Sequence, residues 1–175
     1  MAEVYFLGDG HFAHRNILKY RPEFESIEHH DQTIITNINN LVTSRDKMFF
    51  MGDWVFDVTA LNLIRQINCP NKHLILGNHD DFHVDFHKAF NWVSGPIKYK
   101  EFWLTHIPVH PAELRGKMNI HGHMHRAKIV DKRYFCTSCE QLNYTPISLQ
   151  ELRKVMHNEA PKKGMLKTMF NALRS

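Results

Sequence analysis

Leu74 to Asp80, Leu-Ile-Leu-Gly-Asn-His-Asp, constrains this chain more than any other stretch. A short apolar run ends in a glycine, and three polar side chains follow at once. Leu74 to Leu76 reads as a buried strand. Gly77 lets the backbone turn at its carboxyl end. Asn78, His79 and Asp80 then fall in a loop where open α/β sheets place their ligands. An amide oxygen, an imidazole and a carboxylate can serve as metal ligand, acid–base group and orienting partner. A polar turn after a strand is the plainer reading, so the rest of the chain decides between them.

The pattern recurs. Val4 to Leu7 reads as a strand closed by Gly8-Asp9-Gly10-His11, and Met48 to Met51 as another closed by Gly52-Asp53-Trp54. Helical stretches are expected from His14 to Tyr20, stopped before Pro22, from about His30 to Val42, and from Thr59 to Ile67. Strands alternating with helices imply a largely parallel sheet with right-handed crossovers. All three polar loops would then reach the same sheet edge.

The second half changes character. Asn91 to Tyr99 and Glu101 to Thr105 read as strands joined at Tyr99-Lys100, the second ending in Thr105-His106. Met118 to Ile120 leads into His121-Gly122-His123-Met124-His125, and Lys132 to Ser138 is a further expected strand. Ser148 with Glu151 forms a capping box that opens a helix to about His157. From Pro161 the tail is basic, with Met165, Leu166, Met169, Phe170 and Leu173 at helical spacing. A helix docked on the domain is the favoured reading of 158–175, ahead of a membrane or partner contact.

With 175 residues, 43% hydrophobic and 23% charged, the composition suits one globular domain over 1–175. No apolar run approaches the ~20 residues of a membrane span. No signal peptide is read at the N-terminus, and three cysteines suit a reducing cytoplasm. A net charge of +4 is compatible with an anionic substrate, but the basic residues are scattered, so nucleic acid is only weakly suggested. The 14 histidines are more informative, since several sit in short loops beside Asp, Asn or Gly.

Collected together, Asp9, His11, Asp53, Asn78, His106, His123 and His125 form a mixture of carboxylate, amide and imidazole. Such donors suit Mn²⁺, Fe²⁺, Zn²⁺ or Ni²⁺. Seven candidates exceed the needs of one ion and suit two bridged by a carboxylate. A hydroxide held between two dications is available near neutral pH.

These blocks, Gly8-Asp9-Gly10-His11, Gly52-Asp53-Trp54, Gly77-Asn78-His79-Asp80, Thr105-His106 and Gly122-His123-Met124-His125, resemble in order the five signature blocks of calcineurin-like metallophosphoesterases. The resemblance spans Val4 to His125 and implies a two-sheet mixed β-sandwich flanked by helices. It implies that Asp9, His11 and His125 hold one ion and that Asn78, His106 and His123 hold a second. Asp53 would bridge them, with Mn²⁺ the favoured metal. It also implies that His79 contacts the phosphate or protonates the leaving group, oriented by Asp80. Gly10 departs from the family, where many members carry a larger residue.

The expected activity is a phosphodiesterase on a small or nucleotide-like substrate. A phosphomonoesterase is the alternative, and a non-catalytic scaffold on the same fold is the reading of a different class. His14 and His110 are possible substrate contacts. His121 reads as structural, and His29, His30, His73, His83, His87 and His157 as surface or packing residues. Phe12, Trp54 and Phe82 flank ligand loops, where one could stack on a base or belong to the core. Cys136 and Cys139 read as structural.

Overall fold

The computed structural model describes residues 2–80 and 84–157. The tail from residue 158, Phe82 and His83, with the readings made of them, lie outside the described residues.

The strands around the first half of the site bury apolar side chains on both faces towards their carboxyl ends. β1 (Val4–Leu7), β2 (Lys47–Phe50) and β3 (Asn71–Ile75) pair in parallel, aligning Leu7 with Phe50 and Phe50 with Leu74. Alternate side chains enter two different cores. Leu7, Met48, Phe50 and Leu74 pack in one, and Phe6, Phe49, Met51 and Ile75 in the other. A strand covered on both sides reads as a continuous apolar run, because the period-2 alternation has no polar face to show.

The first core lies beneath the helices α1 (Ile27–Leu41) and α2 (Thr59–Arg65). α1 starts three residues before its expected start at His30. The Ser26 side chain accepts the His29 N–H and caps the first turn. Ile34, Ile35 and Ile38 then face the sheet. Burying each such side chain contributes roughly 1.5–3 kcal/mol. The expected helix after His14 is a short 3₁₀ turn, Arg15–Lys19.

Asn91 to Tyr99 is not one strand. β4 (Trp92–Ser94) joins β3 in parallel, whereas β5 (Ile97–Tyr99) belongs to a second sheet. The intervening Gly95-Pro96 carries the chain between sheets, a step that proline's missing donor favours. β5 pairs antiparallel with β6 (Phe102–Leu104), as the Tyr99-Lys100 turn implied, and β7 (Met118–His121) and β8 (Tyr134–Cys136) add in parallel. The two-residue β9 (Ile147–Ser148) closes the first sheet antiparallel to β1. It leads straight into α3 (Leu149–Met156), whose capping box is formed by Ser148 and Glu151.

The sheet orders are β4-β3-β2-β1-β9 and β5-β6-β7-β8. Phe6, Phe49 and Ile75 of the first meet Phe102, Leu104 and Ile120 of the second, with Leu149 and Leu152 of α3 completing that core. The architecture is an α/β sandwich of two mixed sheets flanked by helices. No helix among the described residues is long and apolar enough to cross a membrane.

Candidate metal centre

The carboxyl ends of the parallel strands in both sheets meet at one place. Backbone bonds stitch the loops there. Asp9 N–H donates to Gly52 O (2.9 Å), His11 N–H to Asp53 O (2.9 Å), and Gly8 N–H to Thr137 O, just past the end of β8 (2.8 Å). Gly122 N–H donates to His106 O at 2.9 Å. The stitching requires unusual backbone: Asp9, His11, Asp53, His123 and His125 all have φ between 47° and 68°. Left-handed non-glycine residues persist where the surroundings over-determine them, and such strain concentrates at functional sites.

Two groups of side chains that could hold a metal ion result. Asp9, His11 and His125 form one, and Asp53, His106 and His123 the other, each with its donor atoms within 4.8 Å of one another. Asn78 Oδ1 lies 3.0 Å from His106 Nε2 and so joins the second. Asp9, His11, Asp53 and His106 are buried, while His123 and His125 are half-buried.

In the second group His106 Nδ1–H donates to Met51 O at 2.9 Å. Its Nε2 therefore faces Asp53 Oδ2 (3.2 Å), Asn78 Oδ1 and His123 Nδ1 (3.3 Å), and a cation at that point would take the place of the Nε2 proton. Acceptors converge on one point. In the first group His11 is buried with neither ring nitrogen hydrogen-bonded among the described residues. An orphaned buried imidazole is costly, and a cation beside it would remove the cost. The donor set and these lone pairs fit divalent ions.

The electrostatics agree. Burial raises the Asp9 carboxyl to about 6, against the pull of His106 and His125. Burial, with Arg21 nearby, pushes His11 down to about 2. Asp53 is buried too, which works to raise it. The hydrogen bond and charge of His106 outweigh this and hold it below the usual carboxylate range.

Glycines allow the close packing. A Cβ on Gly77 would lie 2.1 Å from Asp53 Oδ1, and one on Gly10 would lie 2.1 Å from the Trp54 ring. The Gly10 departure from the resembled family is thus matched to a tryptophan that fills the space a side chain would need.

His79 is exposed at the mouth and its ring stacks on Phe56, with centroids 5.1 Å apart. The expectation that Asp80 orients this imidazole is not met. Asp80 is buried, and its carboxylate accepts from four backbone amides: Asp53 (2.8 Å), Trp54 (2.7 Å), Val55 (2.7 Å) and Gly77 (2.9 Å). It holds the loops in register instead.

His14 is brought to the site, stacked on Phe56 at 4.3 Å and 6.0 Å from His11. His110 is exposed and accepts the Ala112 N–H, capping the 3₁₀ turn Pro111–Glu113, with no described contact to the ligand groups. His121 is buried and donates to Gly122 O. Phe12 and Trp54 are fully buried, edge to face at 5.0 Å, which removes them as stacking surfaces.

Three residues at the site escaped the sequence reading. Phe56 lies three positions past Asp53, in a segment with no periodic signal. Arg21 and Glu140 pair inside the protein at 2.9 Å across 119 positions of sequence. Burial works to raise the Glu140 carboxyl, but the hydrogen bond from His125 and the Arg21 guanidinium hold it at about 2.

No protein-family model matches the chain. It is 28% identical over 170 residues to the gene 66 protein of Mycobacterium phage L5, covering 75% of this chain and 82% of that protein. A protein of unknown function from Aquifex aeolicus, AQ665, shares the fold with a TM-score of 0.71 and 27% identity over 89% of this chain and 100% of that one. The nuclease MPE of Pseudomonas putida is similar in fold alone, with a TM-score of 0.50 and 17% identity over 70% of this chain and 61% of that one. The uncharacterized protein MJ1445 of Methanocaldococcus jannaschii is 32% identical over 172 residues, covering 89% of this chain and 92% of that protein. By that likeness, the chain belongs to the same family as MJ1445.

Proposed function

We propose that this protein is a dinuclear-metal phosphoester hydrolase of the calcineurin-like metallophosphoesterase type, acting on a phosphodiester in a small or nucleotide-like substrate. The observation that carries the reading is the pair of ligand groups at one loop cluster, with His11 left unsatisfied among the described residues. Asp9, His11 and His125 would hold one ion, and Asn78, His106 and His123 the other, with Asp53 serving both. Mn²⁺ leads the candidates, ahead of Fe²⁺, Zn²⁺ and Ni²⁺, because the donors are oxygen and imidazole without thiolate. When bound, two divalent cations supply neutralisation of phosphoryl oxygens and a water acidified towards a pKa of about 7.

The remaining work falls to the chain. The buried carboxylates and left-handed loops fix the donor atoms before substrate arrives, so little reorganisation is needed. Phosphoryl transfer asks mainly for positioning and charge stabilisation, which is why no covalent nucleophile is required. His79, exposed and stacked on Phe56, would give a proton to the leaving oxygen. His14, stacked on the same Phe56 ring, would offer a second imidazole to the substrate. Strands of both sheets supply the site, which supports one domain over 1–175. The free thiols of Cys69, Cys136 and Cys139 support a reducing compartment such as the cytoplasm.

Hydrolysis of para-nitrophenyl phosphate and bis(para-nitrophenyl) phosphate with added Mn²⁺ tests the reading, comparing wild type with Asp53→Asn. The expected result is diester turnover that the variant and chelation both abolish. Monoester preference would make the protein a phosphatase. Since the nuclease MPE shares this fold, oligonucleotides form a third arm. No turnover of any substrate by metal-loaded protein would favour a scaffold.

A further inference from the structure

His125 lies between two carboxylates. Its Nδ1 is 2.9 Å from Glu140 Oε1, and its Nε2 faces Asp9 Oδ1 at 3.9 Å. An ionised carboxylate can only accept, so the Nδ1 contact places a ring proton there, and in the neutral imidazole this leaves the Nε2 lone pair facing Asp9. His106 has its tautomer fixed by a main-chain carbonyl, Met51 O. His125 depends instead on a side chain brought in from the turn Cys139–Gln141.

Glu140 is itself held. Its side chain is 2% exposed, and Oε1 accepts from Nε of Arg21, which is fully buried. The rest of that guanidinium is committed too. Nη2 donates to Asp9 O at 2.7 Å, and Nη1 donates to His30 Nε2 at 2.7 Å and more weakly to Gly10 O. His30 Nδ1–H donates to Asp31 Oδ1 at 2.7 Å, and Asp31 Oδ2 accepts the Ala13 N–H at 2.9 Å. One buried chain, Asp31–His30–Arg21–Glu140, thus grips the loop carrying Asp9 and His11 at its backbone and His125 at its ring.

We propose that Glu140, clamped by Arg21, is a positioning residue that fixes the His125 proton on Nδ1 and so presents the Nε2 lone pair to a divalent cation shared with Asp9 and His11. This inference rests on the metal-site reading above. Hydrogen bonds to the far nitrogen of a ligating histidine set its tautomer and orientation, and their removal typically costs 10–100-fold in metal affinity.

Two measurements test it. Long-range ¹⁵N NMR of the metal-free protein, at a pH where the imidazole is neutral, reads the His125 tautomer. Mn²⁺ titration by calorimetry reads both binding events in wild type, Glu140→Ala and Glu140→Gln. The expected outcome is an Nδ1–H tautomer in wild type, one of two binding events weakened about 10–100-fold in Glu140→Ala, and a smaller loss in Glu140→Gln, whose amide oxygen still accepts. An Nε2–H tautomer in wild type, or unchanged affinity at both sites in folded Glu140→Gln and Glu140→Ala, would overturn the proposal. Wild type that binds no ion would overturn the metal reading instead, and the tautomer measurement would still decide the role of Glu140.

Discussion

Phe56 and His79 stack nearly parallel, with ring centroids 5.1 Å apart and planes 17° apart. His14 stacks on the same ring at 4.3 Å and 26°. The imidazole assigned to the leaving group is therefore oriented by an aromatic ring rather than by a neighbouring carboxylate. Such pairs are worth about 0.5–1.5 kcal/mol. Phe56→Ala should lower kcat about twofold to tenfold with unchanged metal stoichiometry, as steady-state kinetics and metal analysis would show. Unchanged kcat would remove Phe56 from the account.

His79→Ala should keep both ions, since the His79 ring lies outside both ligand groups. Turnover of an alkyl phosphodiester should fall roughly 10²–10⁴-fold, the usual range for a positioned proton donor. A nitrophenyl diester, whose leaving group needs no proton, should lose far less. Comparable losses with both substrates would argue for substrate binding instead.

Asp80→Asn separates a scaffolding role from a chemical one. The amide offers one acceptor oxygen where the carboxylate serves four N–H groups with two. A loss of about 2–3 kcal/mol is expected, seen as a Tm lower by roughly 5–10 °C. A variant with wild-type Tm and lost activity would restore Asp80 to the chemistry.

Much of this was legible in the sequence, for identifiable reasons. β1, β2 and β3 were readable because burial on both faces leaves unbroken apolar runs such as Met48 to Met51. The ligand candidates were readable because each follows a strand end directly, so local sequence already states their position. Arg21 and Glu140 were not, because their meaning arises only when residues far apart in sequence meet inside the protein. The assignment of Asp80 failed because adjacency in sequence to His79 says nothing of which way a side chain turns. β9 escaped because two residues carry no periodicity.

Asp46 offers a pH test away from the site. It is buried, and its carboxylate accepts from Glu3 N (2.7 Å), Thr43 N (2.8 Å) and Thr43 Oγ1 (2.7 Å), tying the approach to β1 to the turn before β2. Burial works to raise its pKa, but these hydrogen bonds lower it below the ordinary value. A depressed folded-state pKa gives stability that is present above about pH 4 and lost as pH falls through the folded value. Asp46→Asn should therefore be less stable than wild type at pH 7 by about 1.5–3 kcal/mol. The two denaturation curves should converge below about pH 4. A constant gap across that range would contradict the assignment.

The proposed hydrolysis requires two divalent ions that share Asp53. Crystals grown with saturating Mn²⁺ and measured at the manganese absorption edge test it directly. Two anomalous peaks about 3.5–4 Å apart are expected. One should lie among Asp9, His11 and His125, the other among Asn78, His106 and His123, and both should contact Asp53. A single peak, or none at these side chains, would contradict it.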